Sequence, residues 1–309
     1  MLNGIINVYK EAGWTSFDVI AKLRGIAGQK KLGHTGTLDP DAEGVLPVCL
    51  GRATKLCGHI TDTKKTYEAD MLLGVTTDTQ DTSGEILSRS FAGDLDKDAI
   101  RSCVESFLGS QMQIPPMYSA KKVNGKRLYQ LAREGVQVER KPVPVFFYDI
   151  SLLEISVPHV RFRVVCSKGT YIRTLCHDIG EKLGCGGCME KLVRTRVGPF
   201  RIEDSMKIGE LEQAKARGEF ASAIIPVDRL FLELPGGRTI PEADRYVHNG
   251  NPVYPADLRF EEERTGSFSR VRLYDSEGVF VGIFRLDEKR RIYCPEQMYL
   301  DPEQIHESH

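Results

Sequence analysis

One stretch constrains the fold of this chain more than any other: residues 33–48, GHTGTLDPDAEGVLPV. Pro40 locks its own φ and pushes Asp39 out of helical geometry, so no helix runs through the segment. Gly33, Gly36 and Gly44 permit close backbone approach or positive φ. Asp39 is thus presented from a stiff, non-helical loop, a suitable mount for a carboxylate that must stay in one place. VLPVCLG (45–51) then reads as a buried strand. Taken by itself, the segment reads more simply as a turn that Asp39 caps, because Asp-Pro is a common turn pair.

The chain has 309 residues, 41% hydrophobic and 28% charged, enough for one large domain or two. Its apolar runs fall short of the ~18 residues a membrane span needs. MLNGIINVYK has neither a basic leader nor a small-residue cleavage site, so the expectation is a cytoplasmic protein without membrane contact. Eight cysteines, several inside apolar runs (Cys49, Cys103, Cys166), fit core residues in a reducing compartment better than a disulfide framework. Cys185 and Cys188 form a lone C-x-x-C without a second pair at zinc spacing, so no metal is expected. The net charge of −1 hides a polarised distribution: +3 over 1–67, −6 over 68–106, +9 over 111–201 and −7 over 202–309. The +9 block points to a polyanion such as RNA or DNA, although composition alone fits a scattered, solvated face as well.

Residues 3–9 read as a strand, and 17–28 as a helix capped by Thr15 or Ser16 and ended by Gly25 and Gly28. A short helix is expected over 53–65 and a strand carrying Tyr67 over 66–75. An acidic, turn-rich stretch (76–87) precedes a helix over 96–109. Residues 111–138 differ in kind. Pro115-Pro116 opens a run in which Lys121, Lys122, Lys126, Arg127 and Arg133 alternate with Tyr118 and Tyr129. Cations for phosphates and rings for bases fit a loop laid along RNA; an ordinary exposed helix fits equally well. Two strands are expected in 143–166, then a helix with Tyr171 and Arg173 in its first turn. The helix dipole disfavours an arginine there, which predicts a carboxylate partner. A strand over 189–200 carries Leu192, and helical linker material fills 202–234. Pro235-Gly236-Gly237 marks a break, followed by a β-rich module with a helix over 242–250 and a hairpin over 269–286.

Four blocks in order carry a resemblance: G-H-T-G-T-L-D-P-x-A-x-G-V-L-P at 33–47, K-x-Y at 65–67, S-K-G-T-Y-I-R-T-L at 167–175, and L-G-C-G at 183–186 leading to L-x-R-T at 192–195. With PPxYSAxKxxGxRxYxxAREG over 115–135, this sequence resembles the bacterial tRNA pseudouridine-55 synthase family, TruB type, over residues 3–200. The resemblance implies a mixed α+β fold. Residues 1–234 would form a catalytic domain on a mixed, largely antiparallel sheet with flanking helices, and 235–309 a small β-rich PUA-like RNA-binding domain. It implies isomerisation of one T-loop uridine of tRNA to pseudouridine, with no cofactor and no metal. Asp39 matches the catalytic aspartate, Tyr67 the tyrosine that stacks on the target base, and Arg173 the arginine paired with the aspartate. His34, Tyr171 and Leu192 match residues that line the pocket or fill the place of the extruded base. Lys10 matches a supporting lysine. The segment with Lys121, Lys122, Lys126 and Arg127 matches an RNA-gripping insertion. An extruded base, a stacking ring and an oriented carboxylate are what such chemistry needs.

This sequence departs from the pattern at Glu11, where the family commonly has proline, at Val193, where it commonly has a second arginine, and at Cys188. Two other readings make different predictions. A tRNA-binding folding chaperone would use the same surface without needing Asp39. A generic single-strand binder would grip unstructured RNA with steep salt dependence. A monomer is expected, because no coiled-coil or long apolar edge pattern is visible.

Overall fold

The apolar periodicities resolve into alternating strands and helices in a computed structural model that describes residues 1–119, 121–123, 125–260 and 268–300. Strand β1 (Gly4–Lys10) leads to helix α1 (Ser16–Ala27), β2 (Leu32–His34), β3 (Glu43–Leu50), α2 (Cys57–Thr61) and β4 (Lys65–Leu73). A small hairpin, β5 (Val75–Thr77) with β6 (Ile86–Arg89), precedes α3 (Lys97–Glu105) and β7 (Gly109–Gln113). The basic segment then forms β8 (Lys122–Val123), β9 (Lys126–Arg127) and α4 (Leu128–Arg133). The long pair β10 (Val143–Ser156) and β11 (His159–Cys166) is followed by α5 (Ile172–Lys182), β12 (Gly187–Val197), β13 (Phe200–Arg201), β14 (Met206–Lys207) and α6 (Ile208–Ala216). The C-terminal part contains β15 (Gly236–Thr239), α7 (Pro241–His248), β16 (Leu258–Phe260), β17 (Arg270–Tyr274), β18 (Phe280–Asp287) and β19 (Ile292–Met298).

The fold is mixed α+β. The main sheet runs β14-β1-β3-β12-β4-β11-β10-β7, with β2 on β3 and β13 on β12. It is largely antiparallel; β1 with β14 and β3 with β12 are the parallel pairs. Along β4, Lys65, Tyr67, Ala69, Met71 and Leu73 are buried while the residues between them are partly exposed, as a half-buried strand requires. The buried face meets α3 and α5 in one core that includes Leu38, Tyr67, Ile172 and Leu192. Glu68 and Asp70, on the other face of β4, take Arg161 of β11 at 2.6 and 3.6 Å. Helices α1 and α6 close a second core over β1 and β3.

Thr15 caps α1 in a capping box with Asp18, and Gly28 ends it in the left-handed region. Gly25 therefore lies within α1 and does not end it, contrary to expectation. Helix α5 packs hard on β12: a Cβ on Gly180 would lie 2.2 Å from the backbone nitrogen of Gly187. Pro235-Gly236-Gly237 is a break in chain character but not a loop, since Gly236 and Gly237 begin β15, inside a five-stranded sheet ordered β16-β15-β17-β18-β19. That sheet is packed onto the rest. A third core joins Ile5, Cys49 and Phe231 to Ile283 and Tyr299, and Tyr274 donates to Asp228 at 2.9 Å. No helix among the described residues is long and apolar enough to cross a membrane.

Candidate active site

Residues 35–42, between β2 and β3, have no regular structure of their own, so their conformation has to be imposed from outside. The clamps act on backbone groups. Buried Arg194 donates to the carbonyls of Val45 (2.7 Å), Gly36 (3.2 Å) and Thr37 (3.4 Å). The Ser16 hydroxyl accepts the Leu38 amide at 2.9 Å. Lys10 Nζ donates to the Pro40 carbonyl at 2.8 Å, which also takes the Gly13 amide at 3.0 Å. Gly44 lets the loop run into β3 against β12. It has φ of +105°, and a Cβ there would lie 2.2 Å from the Arg194 carbonyl oxygen. The Asp39 side chain keeps 41% of its surface exposed while the backbone around it is held by hydrogen bonds from α1, β1 and β12.

The carboxylate partner expected for Arg173 is Asp39. Arg173 Nε lies 3.1 Å from Oδ2 and Nη2 lies 3.4 Å from Oδ1, a two-pronged grip. The remaining guanidinium donors are used as well: Nη2 reaches the Tyr118 carbonyl at 2.9 Å, and Nη1 reaches the Thr79 carbonyl at 3.3 Å and Asp81 at 3.4 Å. Burial pushes the Asp39 carboxyl above its ordinary range and the Arg173 charge opposes this. The result is an oriented carboxylate in a partly desolvated setting, suited to act as nucleophile or base.

Asp81 is the site residue that sequence reasoning missed. It lies in the acidic turn 76–87, where its carboxylate also accepts the Thr79 hydroxyl (2.7 Å) and the Ser83 amide (3.0 Å). The Asp-x-Ser spacing signals such a turn, but nothing local says that the turn faces α5. Ser16 was a cap candidate and instead anchors the loop. Gln113, unremarked in sequence, exchanges hydrogen bonds with the Tyr171 backbone at 2.8 and 2.9 Å, fixing the start of α5.

The structure gathers most of the expected residues. Tyr67 and Leu192 are buried beside Leu38 in one core, and Tyr67 faces Arg194 across the β4–β12 ladder. Burial raises the Tyr67 hydroxyl pKa, with Arg194 opposing. The Nδ1 of His34 accepts the Gly36 amide at 3.4 Å; burial first, and then Arg194, lower its pKa and favour the neutral ring. Tyr171 is half-buried at the N-cap of α5. Lys10 is fully buried, and burial lowers its pKa to about 8. Glu11 accepts from Lys10 Nζ through its carbonyl at 3.1 Å, while its carboxylate turns to Lys207 at 3.4 Å. Cys188 is core, and Val193 is half-buried opposite Glu68.

The insertion is not part of this cluster except at its root, Tyr118. Lys126 and Arg127 are exposed and Lys121 is half-buried; Lys126 pairs with Glu134 at 3.3 Å, and Arg127 lies over the Tyr129 ring. The side chains of Lys122 and Arg133 lie outside the described residues. The +9 block overstates the cationic surface. Arg173 and Arg194 are interior, while Arg161, Arg163 and Lys168 pair with Glu68, Asp149 and Asp62.

Residues 24–172 match the model of the TruB family pseudouridylate synthase N-terminal domain, and 173–232 that of the tRNA pseudouridylate synthase B C-terminal domain. A protein of Lachnoclostridium phytofermentans named tRNA pseudouridine synthase B is 50% identical over 308 residues, covering 97% of this chain and 100% of its own. One of Clostridium novyi with the same name is 53% identical over 282 residues, covering 91% and 95%. Among solved structures, a chain of "Crystal Structure of a Cbf5-Nop10-Gar1 Complex" superposes with a TM-score of 0.69 at 28% identity, over 97% of this chain and 86% of that one. Fold, site and relatives together define a pseudouridine synthase. Within that class, the chain belongs to the TruB family.

Proposed function

We propose that this protein converts uridine 55 in the T-loop of tRNA to pseudouridine, with Asp39 as the acting carboxylate. The observation that carries this reading is the two-pronged Arg173 grip on a partly exposed Asp39. The names of the relatives support tRNA as the substrate. A uridine inside a folded loop is reached by extrusion from its stack, and the extruded base would stack on the Tyr67 ring. Asp39 then assists cleavage of the bond between ribose C1′ and N1. The freed uracil turns, C5 bonds to C1′, C5 loses its proton and N1 gains one. Atoms balance without an oxidant or co-substrate, since the product is an isomer. Leu192 and His34 line the space around the base, Tyr171 sits at its edge, and Lys10 supports the loop. Lys121, Lys122, Lys126 and Arg127 approach phosphates of the T-arm. Residues 235–309 act as a PUA-like module on RNA beyond the loop, and the protein works as a cytoplasmic monomer.

The test is pseudouridine formation on a T-arm stem-loop by wild type and Asp39→Ala, both also measured for RNA binding. The reading expects product from wild type only, with binding retained by the variant. Binding by both without product from either would replace it with a tRNA-binding chaperone.

A further inference from the structure

Arg194 is an unusual use of a cation. It is 1% exposed, and its guanidinium donors go to backbone carbonyls, with no ion pair to a carboxylate among the described residues. Desolvating a guanidinium without a counter-ion is costly, so an apolar side chain would serve the core better. What the guanidinium does supply is a rigid planar fork with donors in fixed directions. Here the fork spans three carbonyls that flank Asp39 on both sides in sequence, those of Gly36, Thr37 and Val45. The backbone of the same residue lies beside Gly44 in the parallel pairing of β12 with β3, and opposite Tyr67 in the antiparallel pairing with β4. One residue therefore touches both halves of the site: the loop bearing the carboxylate and the strand bearing the ring.

We propose that Arg194 is the positioning residue that sets Asp39 and Tyr67 in register with each other, acting through the loop carbonyls and not on the substrate. The inference rests on the reading of Asp39 and Tyr67 given above. Lys10 and Ser16 hold Leu38 and Pro40 from the α1 side, so the loop would stay folded without Arg194 but with its β12 side loose. A reacting group displaced by 1 Å costs on the order of 100-fold in rate, whereas binding of the RNA by remote contacts is untouched.

The experiment compares wild type, Arg194→Lys and Arg194→Met in single-turnover pseudouridine formation on a T-arm stem-loop, in RNA affinity and in thermal unfolding. Lysine keeps the charge and loses the fork. The expected result is a rate lowered about 100-fold in both variants per folded molecule, with RNA affinity within about threefold of wild type. Full rate in the folded fraction of either variant overturns the proposal, as does a loss of RNA affinity equal to the loss of rate. If neither variant folds, Arg194 is a structural residue and the proposal falls. An inactive wild type instead removes the functional reading on which the proposal rests, a result distinct from active wild type with active variants.

Discussion

Replacing Arg173 with Met tests the central pair directly. The wild-type guanidinium separates two carboxylates, lying 3.1 Å from Asp39 and 3.4 Å from Asp81. Burial already raises Asp39, and Arg173 is the largest opposing influence. Without Arg173, burial and the Asp81 charge act together and the pKa of Asp39 rises further. A neighbouring cation favours the ionised carboxylate, and its removal withdraws that help. Because the Asp39 side chain is 41% exposed, solvent screens part of this change. On the function proposed above Asp39 works as the anion, so the rate follows its ionised fraction and falls as pH drops through its pKa. A higher pKa moves that acid limb upward, so the variant loses additional rate at any pH on the limb. On the plateau, where Asp39 is ionised in both proteins, loss of the fork costs about 100-fold through misplacement. Arg173→Lys keeps the charge, so its limb should stay near that of wild type while its plateau drops. Single-turnover pseudouridine formation across a pH series measures both quantities. A profile for Arg173→Met that is scaled down with its acid limb unmoved would refute the reasoning.

Three further outcomes are expected. Asp81→Asn weakens a charge-assisted contact to Arg173 and should lower the single-turnover rate about tenfold; RNA affinity, measured by filter binding, should not change, and an equal loss there would count against a positioning role. Lys10 has its pKa lowered to about 8, so the folded state binds fewer protons than the unfolded state between about 8 and the ordinary lysine value. Its burial cost is therefore fully present below pH 8 and relieved as pH rises. Going from about pH 7 to about pH 9, wild type should gain about 1 kcal/mol over Lys10→Met in denaturant titrations, and a difference flat in pH would contradict this. Gly44→Ala puts a Cβ 2.2 Å from the Arg194 carbonyl at a positive φ. It should cost about 3 kcal/mol or more and lower the melting temperature by about 6 °C or more, as followed by circular dichroism.

Much of the site was legible because its chemistry sits in local grammar. Pro40 and the surrounding glycines dictate a non-helical loop whatever the rest of the chain does, and an arginine in the first turn of a helix asks for an anion. Alternation in KTYEADMLL specifies a strand with Tyr67 on its inner face, as observed. These preferences act over a few residues, so they survive in any fold. The resemblance across the separated blocks added the pairing of Asp39 with Arg173, which are 134 positions apart.

Tertiary structure alone decided the rest. Asp81 is an ordinary turn aspartate until the hairpin packs on α5, and Arg194 is an ordinary strand arginine until β12 lies between β3 and β4. Gln113 and Ser16 likewise gain their roles from partners 58 and 22 positions away. The charge of the central block misleads for the same reason. A sum over sequence cannot tell a cation spent inside the site or paired with Glu68 or Asp149 from one turned toward RNA. Local sequence sets which residues are rigidly presented. Which of them meet depends on strand order and register, because a contact across a sheet is fixed by the packing of the whole core and not by the few residues around either partner.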